Sequence, residues 1–165
     1  MAFFRLTHDD ISPSLSRLAR TAKNPLPVLR AMGTTFKCIT EGNFSSFGAH
    51  YRPKPWPALK DPAGVPSNLQ KSTTLSKAFT LVVTAQAATL ANPMPYAAIH
   101  QHGGVIRAKG KVLAWVNSKG ERVFARRVTI PARPFFPAIN GKLTPAAEEK
   151  IGNAGRRALD GETQR

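Results

Sequence analysis

Val28, Ala31, Met32, Phe36 and Ile39 recur at the three-and-four spacing that paints one apolar stripe on a helix. Pro25 and Pro27 reset the chain just before this stripe, so the pattern predicts a helix opening there and running to about Gly42. The stripe is read as packing against a sheet, not as a partner groove, and Gly33 inside it weakens the helix. A shorter stripe precedes it. Ile11, Leu15, Leu18 and Ala22 follow the capping carboxylates Asp9 and Asp10, and Arg17, Arg20 and Lys23 sit where the dipole favours cations, which predicts a first helix ending near Asn24.

Strand patterns begin at Ala78. The β-branched runs Ala78–Thr84 and Ala87–Ala91 flank Ala85-Gln86 and predict a hairpin. Lys111–Val116 and Arg122–Ile130 flank Asn117–Gly120 and predict a second, with Gly120 supplying the positive-φ residue. Alternation sets Val112, Ala114 and Val116 opposite Lys111, Leu113 and Trp115, so this strand is expected to be covered on both faces, with Trp115 and Phe124 embedded in a sheet.

Between the hairpins, a short helical segment from Tyr96 is expected to end at Gly103-Gly104. Thr144-Pro145, Glu148 and Glu149, then Arg156, Arg157 and Gly161 mark a C-terminal helix. Its apolar face (Ala146, Ile151, Ala154, Ala158, Leu159) is thin and interrupted by Gly152 and Gly155, which predicts peripheral docking or contact with another subunit. The class is α+β: N-terminal helices packed on an antiparallel β-sheet of four or five strands, with a C-terminal helix.

The length of 165 residues fits one domain, 1–165, and 14 Pro with 12 Gly cut it into short elements. Pro53, Pro55, Pro57, Pro62 and Pro66 exclude regular structure from a loop at about 44–68, which is expected to become ordered only on assembly. Trp56 within it either buries its ring or anchors an interface. Cys38 is the only cysteine, and neither a signal peptide nor a membrane span is legible, so a soluble, unexported protein is expected.

Charge narrows the partners. Against 9 acidic residues stand 24 Lys and Arg, a net +15, which points to a polyanion or an acidic surface. Residues 105–134 concentrate it: Arg107, Lys109, Lys111, Lys119, Arg122, Arg126, Arg127 and Arg133 face Glu121 alone.

His100 and His102 are the one place where a metal or catalytic site could begin, but no third ligand lies at a matching spacing. One of them is expected to bond to backbone and the other to face solvent. No phosphate loop, nucleophile elbow or paired-carboxylate pattern is present, so no catalytic residue, metal or cofactor is assigned. In Ile130–Pro137, three prolines hold Arg133 in place as a structural ion pair or carbonyl clamp. Of Phe135 and Phe136, one is expected in the core and the other on a neighbour or the C-terminal helix.

Tyr96-Ala-Ala-Ile-His-Gln-His-Gly-Gly104, followed by Ile130-Pro-Ala-Arg-Pro-Phe-Phe136, resembles the virion morphogenesis family of tailed phages, the Mu-type tail completion and neck proteins. The likeness extends more loosely to a helical N-terminus running into Asn43-Phe44, to Trp56–Lys60 and to Leu75. The chain departs from the family pattern at Thr73-Thr74, where a glycine is usual, and at His102, where an aromatic is commoner.

The resemblance implies a non-catalytic virion protein that forms a homo-oligomeric, six-fold ring in the neck and joins the DNA-filled head to the tail. Its partners would be portal- or adaptor-side and tail-side phage proteins, with genomic DNA in the channel, no membrane, and assembly in the host cytoplasm. Trp56, Tyr96, His100, Gly103, Gly104, Pro131, Arg133, Pro134 and Phe135 would be the structural or interface residues. Arg107, Lys109, Lys111, Lys119, Arg122, Arg126 and Arg127 would form the basic contact surface. The rival is a stand-alone basic nucleic-acid-binding protein, disfavoured here because its aromatics should lie exposed among the basic residues. A small metal-dependent hydrolase using His100 and His102 stands third.

Overall fold

The computed structural model describes Ser16, Ala19, and residues 23–45, 49–57, 69, 73–117 and 119–161. The expected first helix lies largely outside the described residues, although Ser16, Ala19 and Lys23 are helical. Helix α1, Leu26–Gly42, starts at Pro25 with Pro27 in its first turn, where a missing N–H costs nothing. Gly33 is no weak point: a Cβ there would lie 2.9 Å from Leu81 Cδ1 and 3.0 Å from Ala88 Cβ. Its bare backbone lets a hairpin lie directly on the helix.

That hairpin is the expected one, β1 (Thr80–Val83) antiparallel to β2 (Ala88–Ala91), with Leu81 opposite Leu90. Thr84 closes the turn, its Oγ1 accepting the Gln86 and Ala87 N–H groups at 3.3 and 3.1 Å. A short helix α2, Thr74–Lys77, leads into it. Thr73, at the start of α2, has φ +53, a left-handed conformation that burdens a β-branched residue. A glycine at this position would carry no such burden. Thr73→Gly is expected to stabilise the protein by about 1 kcal/mol, strain relief less the added freedom of the unfolded chain. Urea denaturation would register it.

After β2 come helix α3 (Ala97–His102) and strands β3 (Gly104–Arg107), β4 (Leu113–Val116), β5 (Arg122–Ala125) and β6 (Arg127–Ile130). The tiny hairpin β7 (Ala138–Ile139) and β8 (Lys142–Leu143) precedes helix α4, Pro145–Leu159. These strands form four separate two-stranded antiparallel ladders, not one sheet of four or five strands. The reason lies in their length: each is only two to four residues long, too short to recruit a third strand. The expected strand Arg122–Ile130 breaks at Arg126, and its second half pairs with β3, a strand hidden by its opening Gly104.

Gly104–Ile130 is therefore one long ribbon, a β-arm. Residues 108–112 bulge from one side opposite Arg126, whose carbonyl accepts the Ala108 N–H at 3.0 Å. At the tip, Asn117 Oδ1 accepts the N–H groups of Lys119 and Glu121, both at 2.9 Å, and Gly120 has φ +81. The expectation of a strand covered on both faces fails here. Val116 is 62% exposed, Phe124 60% and Trp115 40%, because among the described residues no second layer covers the arm.

Helix α4 also departs from its reading. It lies along α1 through Ala147, Ile151 and Gly155, a face one residue round from the predicted one. A Cβ on Gly155 would come within 3.0 Å of Met32 Sδ, so the small residues buy close helix approach within the chain. Thr144 precedes Pro145 in extended conformation but donates its hydroxyl to Tyr51 O at 3.1 Å, tying the 49–57 segment to α4.

Two apolar clusters result. Ile39, Ala147 and Ile151 join α1 to α4, while Phe44, Leu75, Phe79, Ala97 and Phe135 form an aromatic-rich centre. Phe135 enters that centre as expected of one of the pair. Phe136 meets Phe36 of α1 and Phe79.

Candidate functional site

The two motifs, Tyr96–Gly104 and Ile130–Phe136, form a physical clasp between α3 and the segment 131–137. Gly103 ends α3 with φ +73, donating to Ile99 O at 2.8 Å. A Cβ there would sit 2.7 Å from Ala132 N and 3.1 Å from Ile130 O, so only glycine lets the end of α3 touch the strand exit. Gly104 then opens β3 opposite Ile130.

Pro131, Pro134 and Pro137 remove three N–H donors from the segment, and its remaining polar backbone groups must find partners outside it. The Arg133 N–H donates to His100 O at 2.7 Å. Gln101 Oε1 accepts both the Phe135 and Phe136 N–H groups, at 3.0 and 3.1 Å. On the other side, Trp56 Nε1 donates to Pro134 O at 2.8 Å, Asn43 Nδ2 to Phe135 O at 2.7 Å, and Thr144 N to Pro137 O at 2.9 Å. The base of the arm is thus held by side chains from three distant parts of the chain.

Gln101 and Asn43 were not singled out from sequence. Both were visible, Gln101 inside the Tyr96–Gly104 motif and Asn43 at the end of a helix. A proline-rich exit needing side-chain acceptors and donors was the signal that could have found them.

Trp56 is engaged within the chain. Its ring meets Phe44 at 5.8 Å, the Arg52 guanidinium lies 4.0 Å from its centroid, and Arg52 also donates to Asn43 O and Ser45 O at 2.7 and 2.9 Å. Residues 49–57 of the proline-rich loop therefore take their partners from their own chain, against the expectation of order only on assembly. Residues 46–48 and 58–68 lie outside the described residues.

Arg133 is buried, with Nη2 reaching Pro57 O at 3.3 Å and Nε without a partner. It takes the carbonyl role and not that of an ion pair among the described residues. Next to it, His100 is half-buried, edge-on to Tyr96 at 6.0 Å, with Nδ1 unpartnered and its backbone carbonyl, not its ring, in the clasp. Tyr96 and His102 are exposed. Burial holds the His100 imidazole below its ordinary pKa, and the Arg133 charge acts in the same direction.

The unfolded chain then binds a proton before the folded one does. Stability is full above the unfolded value of about 6.5 and falls as pH drops below it. Melting temperatures between about pH 7 and pH 5 should decline more steeply for the native chain than for His100→Gln. Among the described residues no group of three or more His, Cys, Asp or Glu could hold a metal ion.

The arm carries the charge. Arg107, Lys109, Lys111, Lys119, Arg122, Arg126 and Arg127 are all exposed. Among the described residues none meets a carboxylate, and Glu121 is taken by Asn117 Nδ2 at 2.8 Å. Cross-strand pairs share a face, so Arg107, Arg127, Val105 and Thr129 form one exposed face of the β3–β6 half. Ala114, Phe124, Val116 and Arg122 form one exposed face of the β4–β5 half.

The chain is mixed α+β with an arm clamped at its root, and no helix among the described residues is long and apolar enough to cross a membrane. The model of the phage virion morphogenesis family matches residues 7–160, and the chain belongs to that family. A relative, "Mu-like prophage FluMu G protein 2" of Haemophilus influenzae (strain ATCC 51907 / DSM 11121 / KW20 / Rd), is 32% identical over 142 residues, covering 86% of this chain and 83% of the relative. No solved structure matches. The protein has a role in phage virion morphogenesis, which implies association with the virion and with other phage structural proteins.

Proposed function

We propose that the chain is a non-enzymatic neck or tail-completion protein, folded as one domain over 1–165, that forms a homo-oligomeric six-fold ring joining the DNA-filled head to the tail. The observation that carries this reading is membership of the phage virion morphogenesis family over residues 7–160, and the clamped β-arm Gly104–Ile130 adds exposed basic and apolar side chains available to a partner. A head-to-tail contact between copies closes a ring when the rotation closes, leaving upper and lower rims for portal-side and tail-side proteins. The clasp residues Trp56, Gly103, Arg133 and Pro134, together with Gln101 and Asn43, set the angle of the arm. No cofactor enters this function.

A lysate of phage unable to make the protein tests it by electron microscopy. Filled heads and finished tails accumulating unjoined is the expected result; absent heads, or tails of abnormal length, would contradict it. The stand-alone nucleic-acid-binding reading gains one observation, since Phe124 and Trp115 are exposed among basic residues and not embedded. Normal joining in that lysate would favour it.

A further inference from the structure

We infer that the outer half of the arm, β4–β5, binds single-stranded nucleic acid, with Phe124 as the stacking platform and Arg122 and the neighbouring lysines holding the backbone. The inference goes beyond the head–tail reading and does not depend on it.

Phe124 is 60% exposed, and the residue directly across the ribbon is Ala114, whose single methyl leaves the ring face open. Arg122 stands two residues along on the same side, about 7 Å away along the strand. A base stacked on Phe124 therefore has its phosphate within reach of that guanidinium, and Val116 opposite Arg122 extends the apolar strip. Lys109, Lys111 and Arg126 flank it at the bulge, and Lys119 at the tip. Trp115, 40% exposed, occupies the other face and offers a second ring.

Charge decides against a second copy as the occupant. Seven basic side chains with Glu121 as their only acidic neighbour would meet a chain of net +15. Width decides against a broad protein surface: the ribbon is two strands, about 5 Å between them, whereas a standard interface covers roughly 800 Å² on each partner. A strand of nucleic acid matches both the charge and the width. Base faces are available only in single strands, because a duplex covers them and offers phosphates alone.

Fluorescence anisotropy with the full-length protein tests this, using labelled oligothymidylate of about 20 nucleotides and a mixed-sequence duplex of the same length. The oligothymidylate should bind more tightly than the duplex. Phe124→Ala should weaken it roughly tenfold while leaving the salt dependence unchanged, because that slope counts phosphates neutralised and not rings. Phe124→Tyr should restore it, and both variants should keep the native circular dichroism, as the ring is not part of the core. Equal affinity for duplex and single strand, an unaffected Phe124→Ala, or no binding at low salt, which would point to an acidic protein partner, each overturns the inference. The null-phage lysate reads the head–tail proposal separately.

Discussion

Replacing Lys109, Lys111, Arg122 and Arg126 together by glutamate is expected to abolish formation of infectious particles while leaving the subunit folded. All four side chains are exposed and none meets a described carboxylate, so no native contact is lost within the chain. Exposed charges contribute about 0 to 1 kcal/mol each to stability, and lowering the net charge from +15 by eight units relieves self-repulsion. Binding responds far more strongly. An attraction to a polyanion rests on counterion release, and each cation removed lowers the salt-dependent part of the affinity, while each carboxylate added turns attraction into repulsion. Phage titre after complementation, read beside the melting temperature of the purified subunit, checks both halves. A normal titre would assign the arm's charge to something other than assembly.

Phe135→Ala should have the opposite signature, a large loss of stability from a buried core position. Phe135 is 1% exposed and its ring lies 5.4 Å from Phe44, 5.8 Å from Phe79 and 5.1 Å from Phe136. Truncation of such a ring costs about 3–5 kcal/mol, transfer and cavity together, a large part of the stability of a domain this size. Urea unfolding should show the midpoint falling accordingly. Arg133→Ala, expected from sequence to cost about 2–4 kcal/mol through loss of a buried partner, should cost less. Among the described residues its guanidinium holds only the long contact to Pro57 O, and Nε is unpaired, so deletion also relieves a desolvated charge. An equal loss in the two variants would mean that Arg133 has a partner stronger than that carbonyl.

Local pattern made the helices and hairpins legible and left their assembly obscure. The stripe from Val28 to Ile39 and the Thr144-Pro145 start read correctly because periodicity and caps are local signals. The β1–β2 and β4–β5 hairpins read correctly for the same reason. Strand β3 did not, since Gly104 argues against a strand until Gly103 is seen packed on Ala132. Covered and exposed ribbons share one alternating sequence, so Trp115 and Phe124 were read as embedded; only the absence of a second layer separates the two cases. Gly33 and Gly155 looked like interruptions because a sequence does not display the neighbour that needs the missing side chain. In the clasp, Trp56, His100 and Gly103 meet segment 131–137 while Tyr96 lies exposed, and Gln101 and Asn43, which satisfy its backbone, are legible only from the geometry.

The most direct measurement is a cryo-electron-microscopy reconstruction of the intact virion that locates this chain. A closed ring of six copies at the junction between portal and tail, with the Gly104–Ile130 arms making contacts outside their own subunit, is what the account predicts. Density for the chain in the capsid shell or at the distal tail tip, or a mature particle that lacks it altogether, would contradict it.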